Sequence, residues 1–428
     1  MPSIKTAATS VRKNWAGNYQ YQAKNLYKPT SVAEVQLLVK KSGKIKALGS
    51  RHCFNNIADS PFNQISTEHL DKMLGIDEVA GTVTVEGGAK YGQFAPALHQ
   101  RGYALHNLAS LPHISVAGAC ATATHGSGVK NGNLATSVTA MEFVDGKGDL
   151  VILSRTNNPE TFNGAIVSLG AIGIITKLTL AVEPAYEVRQ DVFQNLPLLS
   201  LMKHFTEIVS AGYSVSLFTN WLNKNISQVW IKRRVESGTT SLGNDFYGAA
   251  AATQNLHPIT RLSAVNCTEQ LGVPGAWYQR LPHFKMGFTP SSGEELQSEF
   301  FVPLDNAVDA ILAITKKGEL IFPQLMAAEI RTVAADDYWL SPCYKQDCVA
   351  LHFTWKQNTP EVMKLLAVIE AELAPFNYRP HWGKVFTMAP SRLKLCYNKL
   401  PEFINLLKLY DPENKFGNAY LDFNILGF

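Results

Sequence analysis

From Leu108 to Gly132 the chain is built almost wholly of small residues, among them Ala109, Ser110, Ser115, Gly118, Ala119, Ala121, Thr122, Ala123, Thr124, Gly126, Ser127 and Gly128. So little side-chain volume cannot fill a core at the density of protein interiors. Something bulky must therefore lie against this backbone. A second backbone packed close would answer, or the segment could be a flexible loop. A ligand would also answer, because successive N–H groups in glycine-rich turns form nests for phosphate and Ser or Thr hydroxyls add donors. The nicotinamide-dinucleotide fingerprint is excluded: Gly126-Ser127-Gly128-Val129-Lys130-Asn131-Gly132 has the wrong spacing, and no helical pattern follows it.

A chain of 428 residues exceeds what one core supports, so two or three domains are expected. With 46% hydrophobic and 17% charged residues it is neither disordered, collagen-like nor a coiled coil. The net charge of +4 is dispersed, its densest point being Lys232-Arg233-Arg234, and without a basic stripe or tail it excludes nucleic-acid partners. Met1 to Gly17 lacks the apolar run of a signal peptide, and no apolar stretch is long enough to span a bilayer. A soluble, cytoplasmic protein with no membrane partner is expected. Six cysteines, none in a C-x-x-C pair or with the histidine spacing of a zinc site, read as reduced, mostly buried thiols and give no metal centre.

Ser31-Val32-Ala33-Glu34 has capping-box spacing and leads into the apolar-periodic Val35 to Val39, so a helix is expected up to Gly43. The alternating Lys44 to Leu48 then predicts a short strand running into the turn at Gly49-Ser50, which carries Arg51-His52-Cys53-Phe54-Asn55. A second strand-helix unit follows at Thr82–Glu86 and Tyr91–Arg101. A hairpin is expected at Val138–Val144 and Leu150–Leu153, joined through Asp145-Gly146-Lys147-Gly148. Segments Ser168–Ile175 and Lys177–Leu180 close the region, with a boundary at Glu183-Pro184. Beyond it, longer alternating strands such as Ser214–Thr219, Gln228–Lys232, Ala327–Val333 and Val349–Trp355 indicate an α+β domain on an antiparallel sheet.

Three places could carry chemistry. His52 sits where a strand meets a turn, so its ring can be presented to a ligand, although a surface or hydrogen-bonded histidine has the same sequence appearance. A neutral imidazole is a nucleophile toward an electrophilic flavin methyl group. Glu329 and Arg331, two apart, share a strand face, as do His352 and Thr354, so two strands would turn four polar side chains toward one cavity or toward solvent. Lys384, in Arg379-Pro380-His381-Trp382-Gly383-Lys384, becomes a base if desolvation lowers its pKa.

Together, Leu48-Gly49-Ser50-Arg51-His52-Cys53-Phe54-Asn55, Ala109-Ser110-Leu111-Pro112-His113-Ile114-Ser115-Val116-Ala117-Gly118, Thr122-Ala123-Thr124-His125-Gly126-Ser127-Gly128, Glu329-Ile330-Arg331-Thr332 and the segment ending at Lys384 resemble one family in one order. That family is the alditol oxidases, xylitol oxidases among them, within the vanillyl-alcohol-oxidase type of flavoproteins. Asp411-Pro412 followed by Phe416-Gly417-Asn418 resembles its C-terminal signature. The resemblance implies an α+β, two-domain fold: an FAD domain of the PCMH type at 1–184, a cap domain carrying a large antiparallel sheet at 185–384, and a return at 385–428 that completes the FAD domain.

By the same resemblance His52 is the residue joined to the 8α-methyl carbon of a covalent FAD. Ala47, Leu48, Gly49, Ser50, Arg51, Cys53, Ser110, Ser115, Gly118, Thr122, Ala123, Thr124, His125 and Ile175 would contact the cofactor. Ser110, Glu329, Arg331, Thr354 and Lys384 would bind the polyol, with Lys384, Arg331 and His352 as the catalytic set. The implied reaction oxidises the primary C1 hydroxyl of a linear alditol such as xylitol or sorbitol to the aldose. Lys384 takes the hydroxyl proton, hydride goes to the flavin, and O2 is reduced to H2O2 by a monomeric enzyme. Small Ala109 suits oxygen access. Arg51 and Cys53 stand where the family more often has Gly and Ser. The absence of cysteine between Ala109 and Ala119 argues against a doubly tethered flavin. The alternatives are an aldonolactone oxidase or dehydrogenase of the same superfamily, and a flavin- or carbohydrate-binding protein without turnover.

Overall fold

The computed structural model describes residues 12–222, 224–237, 239–287 and 294–427. Residues 1–11, part of the N-terminal stretch weighed above, lie outside them.

Ser31 opens a helix over Val32–Lys41, its side chain accepting the Glu34 N–H at 3.3 Å. The other half of the box is shifted by one residue, for the Glu34 carboxylate takes the Thr30 N–H at 2.7 Å. A donor at the helix start is satisfied all the same. Val35, Leu38 and Val39 pack with Ile45, Ile65, Leu70, Val144, Ile174 and, from the far end of the chain, Phe416. Burying one such phenylalanine contributes about 1.5–3 kcal/mol.

Lys46–Leu48 and Asn25–Tyr27 flank Asn63–Ser66 in a parallel three-stranded sheet. Next to it stands an antiparallel sheet in the order 73–77, 82–86, 174–181, 138–144, 150–154. The hairpin between Val138–Val144 and Leu150–Ser154 turns on the Asp145 carboxylate, which accepts the N–H groups of Lys147 and Asp149, both at 2.9 Å. The two pieces expected at Ser168–Leu180 differ: the first bends, with Leu169 at φ 57°, and a single strand follows at Ile174–Ala181.

The large sheet begins at Glu187 and is antiparallel, its central order being 187–197, 225–234, 214–219, 325–333, 348–356, 295–303. Leu351, Phe353 and Trp355 are fully buried on one face. The other face carries Glu329, Arg331, His352 and Thr354. Past Lys384 the chain returns to the first half. There the Asp411 carboxylate accepts the N–H groups of Lys415 and Phe416, both at 2.7 Å, and the Asn418 amide reaches the carbonyls of Asn56, Ile57 and Asp59. All six cysteines are free; Cys53 and Cys396 are half-buried and the others buried. Among the described residues, no helix is long and apolar enough to cross a membrane, and no group of three or more His, Cys, Asp or Glu is placed to hold a metal.

Candidate active site

A cavity lies between the turn at His52 and the large sheet, with about 1860 Å³ of atom-free space including its open mouth. Its first wall is the turn Lys46–Cys53 together with Ser115, Gly118, Thr122, Thr124 and Ile175; its second is the polar face of the large sheet.

The small-residue run serves both purposes that its composition left open. Gly126 and Gly128 are packing glycines: a Cβ would meet the Leu108 carbonyl at 2.4 Å in one case and the Tyr213 carbonyl at 2.4 Å in the other. Gly118, Thr122 and Thr124 instead line the cavity. Ala123, with φ 54° and buried, turns the chain between the two threonines and is not on the wall. The turn and the run are tied reciprocally, for Ser50 N–H donates to Ser115 Oγ at 3.3 Å and Ser115 N–H to Ser50 Oγ at 3.0 Å.

His52 stacks on Trp15, with centroids 5.3 Å apart, and meets His113 at 4.7 Å. Its Nδ1 lies 3.0 Å from Ser50 Oγ, while Nε2 is buried with no hydrogen-bond partner among the described residues. Burial, then the neighbouring His113, pushes its pKa down to about 3. The ring is therefore neutral and nucleophilic at ordinary pH. Arg51, just before it, has φ 65°, a left-handed conformation that strains any residue bearing a Cβ.

At the other wall the residues expected from period-two alternation do converge. Glu329 pairs with His352 across adjacent strands, and Ala327 with Thr354, which brings the four polar side chains onto one patch. A third strand, Glu295–Pro303, adds Glu299, which the sequence reading did not single out. Its carboxylate holds Arg331 Nη2 at 2.9 Å and Lys384 Nζ at 2.7 Å, and its Oε1 lies 3.3 Å from His125 Nε2. Burial pushes the Glu299 pKa up, but Lys384, His125 and Arg331 outweigh it and hold the carboxyl well below the usual range. The Lys384 pKa is lowered by burial, with Glu299 opposing. Arg331 stays charged: burial works against it, and Glu329 and Glu299 more than compensate. Two carboxylates and two cations thus balance inside a nearly dry wall, as a buried charge cluster requires.

These contacts fix directions. The Lys384 ammonium can only donate, so His352 Nδ1, 2.7 Å away, accepts; His352 Nε2 then carries the proton and donates to Thr354 Oγ1 at 3.1 Å. Burial, with the charge of Lys384, keeps His352 neutral, its pKa pushed down to about 3. The Thr354 hydroxyl proton is left for a ligand. Arg331 Nη1 reaches Ser110 Oγ at 3.2 Å. Glu329 is held from behind by His283 Nε2 at 2.8 Å, and His283 Nδ1 in turn by Lys232 Nζ at 3.1 Å. The basic cluster at 232–234 is therefore divided. Lys232 points inward, whereas Arg234 lies between the rings of Tyr186 and Tyr213, 3.8 and 4.2 Å from their centroids.

A family model described as an FAD binding domain matches residues 23–154, and one described as D-arabinono-1,4-lactone oxidase matches residues 284–424. An alditol oxidase of Streptomyces sp. (strain IKD472 / FERM P-14339) is 45% identical over 98% of this chain and 99% of its own length. An L-gulono-1,4-lactone dehydrogenase of Mycobacterium tuberculosis is 27% identical over 96% of this chain and 98% of its own. Among solved structures, a cholesterol oxidase from B. sterolicum superposes with a TM-score of 0.81 over 99% of this chain and 98% of its own at 15% identity, a likeness of fold.

Proposed function

The chain belongs to the alditol oxidase family of FAD-linked oxidoreductases, and from that we propose that it oxidises the primary C1 hydroxyl of linear alditols such as xylitol and sorbitol, using FAD joined covalently to His52. One observation carries the reading. The wall opposite His52 presents Ser110, Glu329, Arg331, Thr354 and Lys384 to a single cavity, a set of donors and acceptors suited to a molecule with a hydroxyl on every carbon.

The FAD would be held by the turn Ala47–Cys53, by Ser110, Ser115, Gly118, Thr122, Thr124 and His125, and by Ile175, whereas Ala123, off the wall, would only shape the turn between the two threonines. The buried Nε2 of a neutral His52, without a partner among the described residues, and a cavity lined from Lys46 through Ile175 to the large sheet suit such a group. The chemistry that a bound FAD would supply is acceptance of the C1 hydride and its return to O2 as H2O2. Lys384, an ammonium paired with Glu299 in the resting cluster, would lose that proton more readily because burial lowers its pKa, and as the free amine it would take the C1 hydroxyl proton, the ammonium re-formed being met by Glu299 Oε2. Arg331, a fixed cation beside Ser110, stabilises negative charge developing on the substrate oxygen. Glu329, pinned by His283, accepts from a substrate hydroxyl, and Thr354, oriented through His352, donates to one.

The lactone oxidase match over residues 284–424 supports an aldonolactone as the rival substrate. Anaerobic mixing separates the two. Xylitol should bleach the flavin absorbance and L-gulono-1,4-lactone should leave it; the reverse pattern overturns the alditol reading, and bleaching by neither overturns turnover altogether. Acid-precipitated protein should stay yellow, and a colourless pellet removes the covalent bond.

A further inference from the structure

Beyond Glu329 the cavity continues along Phe218, His283 and Phe284 to a loop at Leu256-His257-Pro258-Ile259. The order follows from contacts. Phe218 is the register partner of Glu329, its ring is 5.6 Å from that of His283, and the Phe284 ring is 5.5 Å from that of His257. His257 thus stands two ring layers beyond Glu329, past His283 with Phe218 and then Phe284, on the side away from Lys384.

The loop is built, not merely present. Gln270, fully buried, accepts the Leu256 N–H at 2.9 Å and donates to the Leu256 carbonyl at 2.7 Å. Gln228, also buried, donates to the His257 carbonyl at 2.9 Å and is itself held by Trp230 Nε1 at 2.8 Å. Two interior glutamines are spent on fixing a few residues of backbone. His257 is only 4% exposed. Its Nδ1 accepts the Ile259 N–H at 2.9 Å, which sets the tautomer: the proton is on Nε2. That Nε2–H is buried and has no acceptor among the described residues. A buried donor left unmatched is costly and rare, and this one belongs to a side chain that lines the cavity.

We propose that His257 forms the distal subsite, donating its Nε2–H to the terminal hydroxyl of a linear polyol whose C1 lies at Lys384, and so sets the preference for chain length. The inference rests on the alditol reading and names the far end of the same site. Around the donor, Ile259, Phe218 and Phe284 give the last carbon an apolar surround, so a chain too short to reach Nε2 leaves the donor unpaired. A site of this kind discriminates against an analogue that lacks the hydroxyl more sharply than an apolar pocket does.

The test compares kcat/KM for xylitol with that for its terminal-deoxy analogue, in the wild-type holoenzyme and in His257→Leu and His257→Gln. The wild type should favour xylitol by roughly tenfold, the value of one neutral hydrogen bond. The ratio should fall to near one in H257L and be largely kept in H257Q, whose amide can still present an N–H. A wild type that oxidises both substrates equally overturns the subsite without any variant being needed, and so does an H257L enzyme with the wild-type ratio. A wild type that leaves xylitol unoxidised overturns the alditol reading itself and the subsite with it.

Discussion

Replacing Glu299 by Gln probes the centre of the charge cluster. The wild-type carboxylate is fully buried and lies 2.7 Å from Lys384 Nζ and 2.9 Å from Arg331 Nη2. The amide keeps the shape, but it leaves two buried cations facing Glu329 alone, and its NH2 end can only oppose a donor. Removing one partner of a buried ion pair costs about 3–5 kcal/mol. The thermal transition of the holoenzyme should fall accordingly. The same loss weakens Lys384 as a proton acceptor, because the protonated form is the one that Glu299 stabilises. With transfer about half complete at the transition state, half of ~3 kcal/mol enters the barrier, and the plateau rate of anaerobic flavin bleaching by xylitol drops roughly tenfold. The sign of the pH effect is also fixed. Glu299 raises the Lys384 pKa against burial, so its removal lowers that pKa and moves the rising limb of the rate–pH profile toward acid. Stopped-flow bleaching at a series of pH values reads both quantities. A variant with unchanged plateau, unchanged limb and unchanged melting temperature would refute the assignment of Lys384 as base and of Glu299 as its counter-charge.

Arg51→Gly relieves a left-handed residue at φ 65° and should stabilise the protein by about 1 kcal/mol, visible as a small rise in melting temperature; no rise, or a fall, would mean that the Arg51 side chain contributes more than the strain removes. His52→Ala should give a protein whose acid-precipitated pellet is colourless, and a yellow pellet would place the attachment elsewhere. Ser110→Ala removes the hydroxyl partner of Arg331 Nη1 and should raise KM for xylitol roughly five- to tenfold, so an unchanged KM would take Ser110 out of the substrate wall. Melting temperature should fall steeply from pH 7.5 to pH 5. His106 and His283, both pushed by burial down to about 4, stay neutral when folded while the unfolded chain binds the proton below about 6.5; each depressed pKa costs about 2 kcal/mol of stability by pH 5, and a flat profile would show that these rings are protonated in the native state.

What the sequence disclosed followed periodicity. Glu329, Arg331, His352 and Thr354 were legible because alternate residues of a strand must share a face, and the helix at Val32–Lys41 because Ser31 and Glu34 carry its start signal. Glu299 carried a signal that went unread: Glu295, Gln297 and Glu299 alternate with Leu296, Ser298 and Phe300, the pattern of a strand with one polar face. Lys232 was visible only as part of a basic cluster, and nothing local separates the buried member from Arg233 and Arg234. His283 and Trp15 carried no signal. Each lies outside any periodic segment and reaches its partner, Glu329 or His52, only through tertiary packing.

Lys46, at the start of the turn that walls the cavity, donates to the carbonyls of Leu169, Gly170 and Phe416, the last 370 residues away along the chain. At synthesis rates of about 5–20 residues per second, that separation amounts to roughly 20–70 s. His52 thus leaves the ribosome long before the wall at its turn can be completed. A flavin held at this turn would meet a complete wall only once the chain is finished, and a polypeptide truncated before Phe416 should fail to retain yellow colour.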